Sequence, residues 1–278
     1  MLLALLLLPL HFARADSAIE KQLNFDYMEK VLTMRHFYSG DHLRFHPDGT
    51  LNGDAPVGPW TLDGQIEIQK VHLRPGLLVI EARRIHRVFD SQLKPQDQLM
   101  AIDNNHGKRD KDLEKTLRRL KVEVEIELPG EKHDEKDVSS AIRAVFLTDS
   151  DSMMDIVPSF WHPYFAKQEG RPQSTPGPKE GVYSIKPKGG VSAPHVTYAP
   201  DPEYSEEARK AKYQGTIVLY LIVDSSGAPT DVQIMRPLGL GLDEKAVNAV
   251  SAWKFNPAER DGKPVAVAIT VQVNFHLY

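Results

Sequence analysis

The sequence predicts an α+β protein: an N-terminal antiparallel β-rich domain, a Pro-rich linker, and a C-terminal domain of two helices packed on a three-stranded antiparallel-mixed sheet. Three observations predict it. Apolar residues recur with period two between about residues 31 and 128, broken by turn signals. Seven prolines fall between Gln168 and Pro202. Beyond them, two helical patterns alternate with three strand patterns. A chain of 278 residues with 41% apolar content is long enough for two cores. The boundaries are 25–165 for the β-rich domain, 166–200 for the linker and 201–278 for the C-terminal domain.

The first segment, 1–15, reads as a signal peptide. Leu2 to Leu10 is an almost unbroken aliphatic run, and Ala13-Arg14-Ala15 is a small-x-small cleavage pattern. The run meets His11, Arg14 and Asp16 before reaching the roughly 20 apolar residues a spanning helix needs. No Lys or Arg precedes it, so a membrane anchor facing the periplasm stays open as the alternative. Export to the periplasm is the expected localisation.

In the β-rich domain the turns are Pro47-Asp48-Gly49, Asp63-Gly64 and Pro75-Gly76. The clearest strand is Lys121 to Leu128, with Val122, Val124, Ile126 and Leu128 on the face opposite Glu123, Glu125 and Glu127. Asp110 to Leu120 reads as a solvated helix, and Val138, Ile142 and Val145 share one face of another. The aromatic run from Met153 to Phe165 is expected to close this domain. Alternation alone leaves its closure, barrel or sandwich, and its role undetermined. Between Gln168 and Pro202 the composition favours an extended spacer, at most roughly 110 Å long at about 3.1 Å per residue.

In the C-terminal domain, Ser205 caps a helix running to about Tyr213, with Glu206 and Glu207 in its first turn. Gly215 precedes the strand Thr216 to Val223, apolar on both faces and therefore central. Asp224 to Gly227 turns the chain into a second strand, Pro229 to Met235. Asp243 is expected to cap the second helix, with Leu242 and Val247 as a hydrophobic staple and Ala246, Ala249, Val250 and Trp253 on its buried face; Phe255 follows and Pro257 stops it. Last comes Val265 to Tyr278, alternating without a break. A right-handed crossover places it antiparallel beside the central strand, giving the order second, first, third.

The third strand is then an edge, and from Val265 to Tyr278 it carries no charge and no proline to blunt it. Three covers are open: a second copy of the chain, the protein's own first domain, or a partner strand added to the sheet.

Several chemistries are excluded or weak. The chain has no cysteine, hence no disulfide, thiolate site or cysteine-linked lipid. A net charge of −4 disfavours an electrostatic nucleic-acid binder. Ser251-Ala252-Trp253-Lys254 fits S-x-x-K, but neither S-D-N nor K-T-G follows. His42 and His46 would lie about 13 Å apart along an extended strand, too far to share a metal. Asp149, Asp151 and Asp155 lack the glycine and closing Glu of a calcium loop. Arg74, Arg83, Arg84 and Arg87 could form a basic patch. No cofactor, metal, small-molecule ligand or catalytic residue is expected, and the chain reads as a non-enzyme.

The ordered set EYSEEARKAKYQG, GTIVLYLIVDSSGAPTDVQIM, LDEKAVNAVSAWKFNPA, DGKPV and VNFHLY, about 80 residues from 195 to 278, resembles the C-terminal domain of TonB, the periplasmic arm of a motor that energises outer-membrane transporters. The family has Tyr-Pro where this chain has Tyr204-Ser205, and either residue can begin a helix. The resemblance implies that the last strand pairs with a short peptide of a transporter, with Glu203, Tyr204, Val271, Gln272, Val273, Asn274 and Phe275 as partner-binding positions. It also implies a structural frame of Gly215, Asp224, Gly227, Leu242, Asp243, Trp253, Phe255 and Pro257. The implied partners are an outer-membrane transporter and inner-membrane motor proteins, with a homodimer also open. The alternative function is a periplasmic adaptor without energy coupling. Cleavage predicts a mature chain beginning at Asp16; N-terminal sequencing that returns Met1 rules it out.

Overall fold

Helix, strand and turn signals become two compact units in the computed structural model, which describes residues 10–99, 120–131, 133–171, 180–185 and 189–277. The first unit groups residues up to His86 with Gln98–Asp151; the second groups Arg87–Asp97 with Ser152–Tyr278. Of Leu2–Leu10 only Leu10 is described, and the helix expected over Asp110–Leu120 lies outside the described residues save Leu120.

The first unit contains α1 (Leu10–Tyr27), β1 (Val31–Thr33), β2 (His42–Phe45), α2 (Trp60–Asp63), β3 (Gln65–Arg74), β4 (Leu77–Arg84), β7 (Lys121–Glu127) and α3 (Glu135–Val145). Its sheet runs β1-β3-β4-β7-β2. One face carries the core, where Ile66, Ile68, Ile80, Val122, Val124 and Ile126 meet Leu23 of α1 and Val138, Ala141 and Ile142 of α3. The sheet is mixed rather than wholly antiparallel, because β2 runs parallel to β7. Alternation reports which face a residue takes and carries no information on strand direction.

On the opposite face β2 and β7 are joined by charge. His42 Nδ1 lies 3.1 Å from Glu123 and its Nε2 3.7 Å from Glu125, Arg44 pairs with Glu125 and Glu127, and His46 Nδ1 lies 2.9 Å from Glu127. The ligand atoms of His42, Glu123 and Glu125 lie within 4.8 Å of one another, and Arg44 adjoins this group through Glu125. The basic patch does not form: Arg83 and Arg84 are only 5% and 6% exposed. Arg83 pairs with Glu67, and Arg84 pairs with Asp63 while donating to the carbonyls of Tyr38 and Gly40. A buried guanidinium is tolerable only when paired in this way.

The second unit contains β5 (Arg87–Phe89), β6 (Pro95–Asp97), α4 (His162–Gln168), β8 (Val182–Ser184), β9 (His195–Tyr198), α5 (Glu206–Lys210), β10 (Gly215–Val223), β11 (Pro229–Arg236), α6 (Leu242–Ser251), β12 (Lys254–Asn256), β13 (Ala258–Arg260) and β14 (Lys263–Phe275). Its main sheet runs β11-β10-β14-β13, and β8 also pairs with β14. The three long strands take the expected order, and two short strands extend the sheet. Ser205 caps α5, its hydroxyl accepting from Ala208 N–H at 3.1 Å, although the helix ends at Lys210. The N-cap of α6 is Gly241, with φ 72°, and not Asp243. Asp243 is fully buried inside the first turn and reaches back to accept the N–H groups of Leu238 and Gly239, each at 2.8 Å. Burial, with Glu244 beside it, raises its pKa.

The Met153–Phe165 run lies in the second unit. Trp161 is fully buried, is ringed by Phe89, Tyr164 and Phe165, and donates its Nε1–H to Glu244 at 2.9 Å. The expected spacer begins and ends within this same unit.

In the first unit, Asp151 ties the end of α3 to the start of the sheet. It accepts from the Thr148 N–H and hydroxyl and from Arg35, and these bonds, Thr148's first, lower its pKa to about 2. Its folded pKa lies below the usual 3.8, so its stabilisation is present above about pH 4 and lost as pH falls through about 2. Asp151→Asn is therefore expected to melt lower than the wild type near neutrality and to converge with it at about pH 2 in thermal scans across that range.

Candidate functional site

β14 owes its length to unbroken alternation, which keeps Val267, Val273 and Phe275 in the core while Thr270, Gln272 and Asn274 stay exposed. One edge pairs antiparallel with β10 over nine consecutive positions, from Gly215↔Phe275 to Val223↔Val267. The turn at Asp261-Gly262 folds β13 against the start of the other edge, pairing Ala258–Arg260 with Lys263–Val265. β8 then runs parallel to Ala266–Ala268. Val267 and Ala268 are already paired to β10, so β8 must lie on the outer edge. From Ile269 to Phe275 that edge has no strand partner among the described residues.

This open stretch carries five of the seven expected partner-binding residues. Val273 and Phe275, 3% and 1% exposed, offer a partner only their backbone. Gln272 presents its side chain to solvent, Val271 is half-buried, and Asn274 accepts from the Thr216 hydroxyl at 2.6 Å. The other two residues arrive from before α5. The Tyr204 ring stands edge-on to Phe275, centroids 5.3 Å apart at 88°, and its hydroxyl donates to the Tyr213 carbonyl at 3.3 Å. Glu203 is 81% exposed and is held by Lys245 Nζ at 2.8 Å, which lowers its pKa. Five of the seven positions thus lie on the open part of β14, and Tyr204 touches the last of them, Phe275.

The frame behind it is local. The Asp224 carboxylate accepts from Ser226 and Ala228, closing the β10–β11 turn. Gly227 sits at φ 85°, where a Cβ would come 1.9 Å from the Phe255 carbonyl oxygen. Its own carbonyl accepts from Phe255 N–H at 3.0 Å, so turn and β12 lock together, with Phe255 buried and Pro257 leading into β13. A Cβ on Gly215 would meet Leu238 at 2.6 Å. Leu242 is fully buried; Trp253 lies beyond the end of α6 and its Nε1 donates to Pro200 at 3.4 Å. Ser251 donates to the Val247 carbonyl at 2.7 Å and Lys254 is exposed on β12, so ordinary helix geometry accounts for the S-x-x-K pattern.

Sequence reasoning missed the covers on the outer edge. The signal for β8 was present, since Val182-Tyr183-Ser184-Ile185 is a short β-prone run between Gly181 and Pro187, submerged in a Pro-rich average. Among the described residues no helix is long and apolar enough to cross a membrane.

The contact between Tyr204 and Phe275 yields a mutational test. Tyr204→Ala is expected to destabilise the second unit by about 1–3 kcal/mol, whereas Glu203→Ala leaves the melting temperature unchanged; thermal scans of both variants check this.

Residues 200–277 match the family of Gram-negative bacterial TonB protein C-terminal domains. Among curated proteins, the chain is 37% identical over 79 residues to protein tonB2 of Pseudomonas aeruginosa, covering 28% of this chain and 29% of that one. It is 35% identical over 77 residues to protein TonB of Vibrio cholerae, covering 27% and 32%, and equally to protein TonB of Xanthomonas campestris pv. campestris, covering 27% and 34%. The chain thus spans about a third of the length of these relatives. A solution NMR structure titled as the Pseudomonas aeruginosa TonB C-terminal domain aligns at 20% identity with a TM-score of 0.27, over 34% of this chain and 94% of that one.

Proposed function

We propose, from a C-terminal segment that belongs to the TonB C-terminal family, that this is a periplasm-facing envelope protein. It binds outer-membrane transporters by strand addition and supports energised transport across the outer membrane. The observation that carries this reading is the outer edge of β14 from Ile269 to Phe275, without a strand partner among the described residues and without a charged residue or proline. Such an edge exposes unpaired N–H and C=O groups and is a template for another chain. A partner strand would gain main-chain hydrogen bonds there and meet Thr270, Gln272 and Asn274 on the exposed face. Tyr204 and Glu203 flank its end. Inner-membrane motor proteins would supply the energy, as in the family the segment belongs to.

Adjacent residues of a strand direct their N–H groups to opposite edges, so of Val271→Pro and Gln272→Pro one removes an outward donor and leaves the β10 ladder intact. A photocrosslinking amino acid in place of Thr270, in the full chain in cells, is expected to give an adduct with an outer-membrane transporter. Whichever proline variant keeps the wild-type melting temperature is expected to lose most of that adduct. An adduct yield unchanged in that variant overturns strand addition.

A further inference from the structure

The outer edge of β14 is open over only part of its length: β13 closes its start, and the segment closing Ala266–Ala268 comes from the Pro-rich stretch. Val182, Tyr183 and Ser184 lie parallel to Ala266, Val267 and Ala268. Two further contacts hold the same stretch against β13, which borders this edge. The Arg260 guanidinium lies 5.0 Å from the centroid of the Tyr183 ring. Downstream, Ser192 N–H donates to the Glu259 carbonyl at 2.9 Å, and Glu259 N–H donates to the Ser192 hydroxyl at 2.8 Å. The segment is held at two points, yet it puts nothing into the core: Val182 and Tyr183 are half-buried and Ser184 is exposed.

We propose that Val182–Ser184 is a built-in competitor for the partner strand, holding Ala266–Ala268 in cis until an incoming strand replaces it. The proposal rests on the strand-addition reading above. Three properties fit a competitor better than a permanent part of the sheet. The pairing is three residues long where β10 contributes nine, and unlike the equally short β13, which a two-residue turn ties to β14, β8 is far from β14 in sequence. No side chain of β8 is buried, so its loss opens no cavity. It also adjoins the open stretch Ile269–Phe275, which gives a partner a foothold from which pairing can advance along the same edge onto Ala266–Ala268. Being part of the same chain, β8 acts at a high effective concentration, so a short and weak strand still competes against a partner in solution. A partner able to form only a few backbone bonds is then rejected, and one that pairs along the whole edge is accepted.

The test uses the full chain and a fluorescent peptide copying residues 180–185 as probe. Tyr183→Pro with Ser184→Pro removes β8 backbone donors at both alternations and touches no core residue. The expected result is that the variant binds the probe at least about tenfold more tightly than the wild type by fluorescence anisotropy, and that hydrogen exchange at Ala266–Ala268 speeds up in the variant without probe. Equal probe affinity for both chains, or unchanged exchange at Ala266–Ala268, overturns the competitor while leaving strand addition standing. Failure of the probe to bind either chain shows that the edge accepts no added strand and overturns both readings.

Discussion

The antiparallel pairing of β10 with β14 is the constraint on which the rest of the second unit depends. Nine consecutive backbone pairs set the register, and in a strand the register decides every side chain's face at once. A slip of one residue would turn Val267, Val273 and Phe275 to solvent and bury Thr270, Gln272 and Asn274, a loss no local contact could offset. The edge-on contact of Tyr204 with Phe275 presupposes that register. The open edge is therefore a by-product of the core: what the core fixes on one edge of β14 also sets the spacing and facing of the other.

A sheet of this kind has two ends, and the chain treats them differently. At β11 the strand is irregular, with Asp231 at φ 51° and register shifts against β10, and the aromatic segment Ser159–Gln168 packs against it. Irregularity and a helical cover both make an edge unsuitable for another strand. At β14 the covers are two three-residue strands on its first six residues, and the remaining seven stay regular and uncharged. One end is blunted and the other is left usable.

Much of this was legible in the residues. The strand order, the Ser205 cap and the alternation of β14 follow from turn chemistry and period-two patterning, which are local properties. What was not legible depends on contacts distant in sequence. The parallel pairing of β2 with β7 is invisible to alternation, which is the same for either direction. Arg83 and Arg84 read as surface cations because nothing nearby in sequence announces Glu67 and Asp63 as their partners. Asp243 suits an N-cap by residue type, yet Gly241 takes the cap and the carboxylate serves the preceding loop. At the site, the facing of the β14 residues follows from its pattern and their expected role from the resemblance, whereas β8 was diluted by the prolines around it.

The Pro-rich stretch reads by composition as a boom, a rod that carries one body away from another. Its described residues are placed as those of a strap. It leaves α4, which packs on β11, and returns through β8 and β9 to β14 and β12, so it is fastened at both ends to the same unit. The contour length of a strap adds nothing to reach; it sets how much slack is released when a fastening lets go. While α4 holds its place on β11 and β9 its place on β12, both ends of the stretch stay fastened within one unit.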